Sequence, residues 1–197
     1  MNPVGCRGLK PHHPLAGGGV STPGLLAALL ILTLCAPGAR AQDGLPEKQE
    51  VQAAFLYRFI DFIEWPPQRS RDAGATITIG ILGKNPFGDA LNTINGKKIK
   101  GKTIVVKPVA AFADLRSVHV LFISPSEKDR LRQILSRTRD LSILTVSEIN
   151  GFPRSGGIIN LTTENNRVRF EINPDAAQRA RLRISSQLLK LAKIVRA

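Results

Sequence analysis

Asp61, Glu64 and His119 are the side chains of this chain that come closest to an acid–base constellation. General acid–base catalysis needs such groups in a pocket, with a partner that shifts their pKa. The three-residue spacing of Asp61 and Glu64 instead suits a solvated helix face shared with Arg58. A single histidine within an apolar run is typical of a packed or hydrogen-bonded core residue. We therefore predict no catalytic residue.

Cofactor and metal motifs give the same negative prediction. The turn Gly80–Gly83 follows an apolar run, but it has the spacing of neither G-x-G-x-x-G nor a P-loop. Both cysteines, Cys6 and Cys35, precede residue 42, and beyond that point His119 is the single histidine. A nitrogen–sulfur metal cluster needs several such ligands. We predict neither a metal nor a cofactor, and the function we expect is binding.

The first 41 residues have the composition of a secretory signal peptide. Basic residues precede the apolar run Leu25–Leu34, and the small-x-small triplet Ala39-Arg40-Ala41 follows it. The apolar run is shorter than the roughly 20 residues that span a bilayer, which disfavours a retained anchor. We predict cleavage after Ala41 and a single periplasmic domain over residues 42–197. This domain would contain no cysteine, hence no disulfide.

The chain is strongly basic, and much of the excess charge is C-terminal. Loss of Arg7, Lys10 and Arg40, with no acidic residue, would lower the formal net charge from +13 to +10. Basic patches often bind nucleic acid, but an exported protein meets little of it, so we predict no nucleic-acid partner. An acidic protein partner, an anionic membrane surface and a merely solvated face all stay open. The basic residues after position 166 are Arg167, Arg169, Arg179, Arg181, Arg183, Lys190, Lys193 and Arg196.

Half of the ten aromatic residues lie between positions 55 and 65. The spacing predicts a helix over Val51–Trp65 with a narrow polar stripe, ended by Pro66 and Pro67. So wide an apolar surface predicts that Phe55, Phe59 and Phe62 belong to the core. Tyr57 and Trp65 combine an apolar body with a polar group, which favours interfaces.

The remaining pattern alternates between strands and helices, which predicts an α/β layered domain. Its central sheet would be mainly parallel, extended by an antiparallel hairpin at Glu164-Asn165-Asn166, with helices on both faces. The predicted strands are Thr76–Leu82, Thr103–Val109, Val118–Ile123, Ile143–Val146, Gly157–Thr163 and Arg167–Ile172. The further predicted helices are Pro86–Ile94, Pro125–Arg137, Pro174–Ala180 and Ser186–Val195, three of them opened by an Asn-Pro or Ser-Pro pair.

Seven segments in order resemble the YfiR family of exported bacterial proteins. They are AAFLYRF followed by EWP, IGILG followed by NPF, VLFIS, LTVSEING, GGIINL, NNRVRFEIN and ISSQLL. The resemblance spans about residues 48–196. It implies a small periplasmic α/β protein, often dimeric, that represses an inner-membrane diguanylate cyclase by binding its periplasmic sensor part. Redox control through disulfides, found in some members, is excluded here because residues 42–197 contain no cysteine.

Two other functions compete with this interpretation. A periplasmic carrier or sensor would bind an unidentified small ligand in a pocket lined by the aromatic residues. An enzyme with an unrecognised site would have to work without a thiol and with one histidine. For the regulator, we predict a homodimer and a membrane signalling protein as partner, contacted by Tyr57, Glu64, Trp65, Arg181, Arg183, Lys190 and Lys193.

Overall fold

A computed structural model describes residues 48–72 and 74–196. The predicted signal peptide, residues 1–41, and its cleavage site after Ala41 lie outside these residues. The described α-helices are α1 (Lys48–Asp61), α2 (Pro67–Asp72), α3 (Leu131–Thr138), α4 (Pro174–Arg179) and α5 (Ser186–Leu191). Three 3₁₀ helices cover Gly88–Thr93, Phe112–Ser117 and Pro125–Arg130. Within the described ranges, no helix has the length and apolar character needed to cross a membrane.

The strands are β1 (Ile63–Glu64), β2 (Thr76–Leu82), β3 (Lys98–Ile99), β4 (Lys102–Val109), β5 (Val120–Ile123), β6 (Leu144–Ser147), β7 (Ile159–Glu164), β8 (Arg167–Ile172), β9 (Arg183–Ile184) and β10 (Lys193–Ile194). Eight of them form one sheet in the order β10-β8-β7-β6-β5-β2-β4-β3. The pairs from β7 through β4 are parallel, while β7–β8 and β3–β4 are antiparallel. This confirms the predicted fold class.

A separate apolar core lies on each face of the sheet. Alternate residues of a strand point to opposite faces, so Ile79 and Ile81 join one core and Leu82 joins the other. The first core includes Leu56 and Phe59 of α1 together with residues of α4 and α5. The second core includes Ile134 of α3 and buries the 3₁₀ helix Phe112–Ser117 through Leu115. Helices therefore cover both faces, as the sequence predicts.

The predicted helix over Val51–Trp65 is wrong at its C-terminal end. The helix stops at Asp61, and Phe62 closes a turn by donating its N–H to Phe59 O at 3.1 Å. Ile63 and Glu64 then pair with β9 instead of continuing the helix. The sequence could not show this, because the partner strand lies about 120 residues further along the chain.

The last predicted helix is also shorter than expected. It ends at Leu191, and Lys193 and Ile194 become an edge strand parallel to β8. The Asn85-Pro86 segment likewise begins no α-helix, because Asn85 Oδ1 accepts the N–H of Phe87 and the 3₁₀ helix starts at Gly88. The predicted helix from Pro125 begins as a 3₁₀ helix, and α3 starts only at Leu131. The hairpin is as predicted, because Asn165 and Asn166 both adopt positive φ.

Phe152 anchors the loop between β6 and β7. Its ring is fully buried in the second core, and its carbonyl accepts the N–H of Gly157 at 3.0 Å. A Cβ on Gly157 would lie 2.2 Å from Cε1 of the Phe152 ring. Glycine at 157 is therefore a packing requirement of this loop.

We expect Gly157→Ala to lower the free energy of unfolding by about 1–3 kcal/mol, because the added methyl group overpacks a closed core. Urea denaturation of the variant measures this. Phe152→Leu is the second change of a double-mutant cycle, since its smaller side chain relieves the overlap with the added methyl group. In the Phe152→Leu background the Gly157→Ala change should cost less, and equal costs in both backgrounds would contradict the steric explanation.

Candidate partner-binding surface

The ribbon formed by β1 and β9 brings two of the predicted site residues together. Glu64 pairs with Arg183 across the antiparallel ladder, and both side chains are exposed. Ile63 points the other way and is buried in the first core. Opposite charges at paired positions stabilise a ribbon modestly. The ribbon thus presents a carboxylate and a guanidinium side by side on an outward face.

The end of α4 positions the neighbouring arginine. Arg181 N donates to Gln178 O and Leu182 N to Ala177 O, both at 2.9 Å, and Arg181 has φ of +56°. This is the Schellman geometry, which places a left-handed residue just after the helix. Leu182 is buried, while Arg181 and Arg183 on either side of it are exposed. Burial of one leucine therefore turns two arginines toward solvent.

The other predicted residues are spread over the domain, on α1, α5 and β10. Tyr57 is half-buried, and its hydroxyl donates to Lys98 O of β3 at 3.1 Å. Lys193 lies on β10, the opposite edge of the sheet, where its ammonium is 3.0 Å from Glu171. Lys190 is exposed on α5. The structure thus brings Glu64 and Arg183 together, and Arg181 lies two residues before Arg183. Tyr57 and Lys193, in contrast, lie toward the β3 and β10 edges of the main sheet.

The β10 edge also carries two exposed apolar side chains that sequence reasoning missed. Leu191 is 72% exposed and Ile194 is 43% exposed. In sequence both residues fit the apolar pattern of a C-terminal helix, so no sequence signal separates them from core residues. Together with Lys190 and Lys193 they give this edge a mixed apolar and basic surface.

Trp65 is half-buried and packs against the first core, rather than standing free at a helix end. Its ring meets His119 edge-on, with 6.3 Å between the ring centroids. Its indole N–H is buried and finds no acceptor among the described residues. Trp65 therefore contributes to the packing of the domain whatever its role in binding.

His119 is a core residue, as its position in the sequence predicts. Its side chain is 5% exposed, and Nδ1 accepts the backbone N–H of Thr78 at 3.1 Å. An acceptor at Nδ1 places the proton of the neutral ring on Nε2. Burial, with smaller contributions from the cations Arg69 and Lys102, lowers the pKa of His119 to about 4. Its structural role is to join β5 to β2 in the neutral form.

The aromatic cluster belongs mostly to the core. Phe59 is fully buried, and its ring centroid lies 5.8 Å from that of Phe55 and 5.3 Å from that of Phe170. Phe55 and Phe62 are partly buried and pack against the same core. An open groove of about 490 Å³ runs beside α1 and is lined by Val51, Ala54, Phe55 and Arg58 among others. Of the five clustered aromatic residues, Phe55 is the one that lines it.

At the usual ligand crevice of this sheet order, the loops that follow β2 and β5 contact each other directly. In doubly wound sheets ligands bind at the carboxyl ends of the strands where the order reverses, here between β2 and β5. Ser126 Oγ accepts the N–H of Lys84 at 3.0 Å. A Cβ on Gly83 would lie 2.5 Å from the same Ser126 oxygen. Glu127 packs against the same glycine. Within the described ranges, no group of three His, Cys, Asp or Glu is arranged to hold a metal ion.

The fold and these surfaces define a layered α/β domain with charged and apolar groups at its exposed edges. The sequence matches the YfiR/HmsC-like family over residues 49–193. The chain therefore belongs to the YfiR/HmsC-like family.

A solved structure gives independent support for the fold. The chain is similar to a conserved domain protein from Vibrio cholerae O1 biovar El Tor, with a TM-score of 0.50 and 12% sequence identity. The similarity covers 76% of this chain and 60% of the Vibrio chain, so this chain spans about three-fifths of that protein. At this identity the likeness shows the fold alone. A comparison with curated proteins found no match.

The depressed pKa of His119 predicts a pH-dependent stability. The unfolded chain takes up a proton near pH 6.5 and the folded chain only near pH 4, so stability is lost as pH falls through this window. Between pH 7.5 and 4.5 this contribution should fall by about 2–3 kcal/mol. Urea unfolding at both pH values, compared between wild type and His119→Asn, measures it. Asparagine retains an acceptor for Thr78 N–H but does not titrate, and an unchanged pH dependence in this variant would contradict the assignment.

Proposed function

We propose that this protein is exported to the periplasm and acts as a non-enzymatic regulatory binding protein. It represses an inner-membrane diguanylate cyclase by binding the periplasmic sensor part of that enzyme, and so limits cyclic di-GMP and biofilm formation. Membership of the YfiR/HmsC-like family over residues 49–193 is the observation that carries this proposal. The signal-peptide pattern of residues 1–41 supports the location.

We assign the partner contact to the β1–β9 ribbon and the adjoining end of α4. Glu64, Arg181 and Arg183 are exposed there on a backbone fixed by the ladder and by the buried Leu182. A rigid, charged surface steers a complementary partner and fixes its orientation. The charge of the region calls for a predominantly acidic partner surface. Trp65, next to Glu64, packs against the first core.

Capture of the partner tests the proposal directly. The tagged, exported protein is crosslinked in living cells, purified, and analysed by mass spectrometry for the proteins attached to it. A membrane protein with a diguanylate cyclase domain is the expected product, and deletion of the gene should raise cellular cyclic di-GMP. Recovery of the protein alone, under conditions that capture a known periplasmic pair, would count against the proposal. Light scattering on the purified protein tests the expected homodimer.

We expect Arg183→Glu to reduce capture of the partner by about tenfold or more, because it places a second carboxylate beside Glu64 and opposes an acidic partner. Its midpoint of thermal unfolding should change little, since Arg183 is exposed and surface substitutions usually change the free energy of unfolding by less than about 0.5 kcal/mol. Arg132→Glu, at another exposed arginine on α3, is the matched control. If both variants capture the partner equally well, the β1–β9 ribbon is not part of the interface.

Small-ligand sensing is a second candidate function, favoured by the groove beside α1. Phe55 and the stem of Arg58 would contact an apolar ligand there. Trp65 is the sole tryptophan, so its fluorescence reports changes in the first core without labelling. A saturable fluorescence change with an apolar ligand, lost in Phe55→Ser, would favour sensing through the groove.

A further inference from the structure

A second cavity, distinct from the groove beside α1, lies on the other face of the sheet. It measures about 190 Å³ and is lined by residues of the loop 150–154, of strands β7, β8 and β10, and by Val195. Leu161 and Phe170 of these strands point into the first core with α1. Because side chains alternate along a strand, Thr162 and Glu171 point to the opposite face, where they line this cavity.

The floor of the cavity is a row of polar side chains across three strands. Asn160, Glu171 and Lys193 are paired in register, and the carboxylate of Glu171 lies 3.0 Å from the ammonium of Lys193. Asn160 is 1% exposed. Its carboxamide nitrogen donates to Ser147 O at 2.9 Å; the amide is oriented this way because a carbonyl oxygen needs a donor opposite it. The hydroxyl oxygen of Thr162 is buried and has no hydrogen-bond partner among the described residues. Buried polar atoms normally find a partner, so the Thr162 hydroxyl beside this row favours a polar occupant.

The wall of the cavity is rigid. Asn173 is fully buried, and its Nδ2 donates to Pro153 O at 2.7 Å. Phe152, next to Pro153, is locked into the second core against Gly157. Arg154 follows directly on this fixed backbone, and its exposed side chain lines the cavity. A preformed wall lowers the conformational entropy that a ligand would have to remove on binding.

We propose that this cavity binds a small α-hydroxy or α-amino carboxylate. The guanidinium of Arg154 matches a carboxylate, which it can bind through two parallel hydrogen bonds. The Thr162 hydroxyl and the Glu171 carboxylate then receive the hydroxyl or ammonium group at the α-carbon. The volume is below the roughly 300 Å³ at which pockets for drug-sized ligands begin, which restricts the ligand to a few heavy atoms. Glu171 also disfavours a multiply charged anion such as phosphate.

The site also stabilises the C-terminal edge of the sheet. Strand β10 is attached to β8 by a two-residue ladder, followed by a bond from Val195 N to Ile172 O at 2.8 Å. Lys193 of this short strand and Val195 directly after it form part of the cavity wall. A ligand held between Glu171 and Arg154 therefore holds β10 in place, together with the exposed Ile194. This inference goes beyond the proposed function, and the isolated protein suffices to test it.

The test is a titration of the purified, isotopically labelled protein followed by amide NMR. The probes are L-serine, L-lactate, acetate and inorganic phosphate. We expect saturable shifts with L-serine or L-lactate in residues 150–154 and 193–195, and slower hydrogen exchange of the β10 amides. Acetate should bind more weakly because it lacks the second polar group. If no probe shifts these amides, or if phosphate binds most tightly, the proposal is overturned.

Two variants locate the binding. Arg154→Gln removes the guanidinium, and Thr162→Val removes the hydroxyl while retaining the shape of the side chain. Each should raise the dissociation constant by about tenfold or more, because it removes a hydrogen bond to a charged or buried group. Arg179→Gln, an exposed arginine outside the cavity, is the control. Equal affinities in all three folded variants would show that the ligand binds elsewhere.

Discussion

Every residue of β5, and all but the first of β2, is buried, so the parallel pair at the centre of the sheet must be covered on both faces. Helix α1 supplies one cover through Leu56 and Phe59, and α3 supplies the other through Ile134. Since burial of apolar surface is the dominant favourable term in folding, this double cover is what the remaining structure depends on. The loops and short strands lie at the edges of the sheet, outside the region that the two layers of helices cover.

The groups that we propose to bind a partner lie where this double cover ends. The β1–β9 ribbon and the end of α4 expose Glu64, Arg181 and Arg183, while their neighbours Ile63 and Leu182 remain in the core. At the β10 edge of the main sheet, Leu191 at the end of α5 and Ile194 of β10 are exposed beside basic residues. The ribbon and the end of α4 are therefore fixed by buried apolar residues one position away from their exposed charges. Such rigid edges suit a protein that recognises a partner, and they fit the proposed regulatory role in the YfiR/HmsC-like family.

Ligand binding in the polar cavity, as proposed above, would give that role a means of control that does not need thiol chemistry. Residues 42–197 contain no cysteine, so control through a disulfide is excluded for this part of the chain. Glu171 and Lys193 connect the cavity to β10, which has only a short ladder to hold it. A ligand that stabilises this edge would alter the surface beside it, because local stability in proteins follows the number of supporting contacts.

The sequence by itself determined the α/β class, the positions of the main strands, the Asn165-Asn166 turn and the burial of Phe59 and His119. These follow from local periodicity and turn chemistry, which act over a few residues. The tertiary structure alone decided that the first helix ends at Asp61 and that Lys193 and Ile194 form a strand, because both outcomes depend on backbone hydrogen bonds to distant segments. It also decided which polar residues meet: Glu64 faces Arg183, and Asn160, Glu171 and Lys193 form one row. Register between strands sets these pairings, and register is a property of the assembled sheet rather than of any one segment.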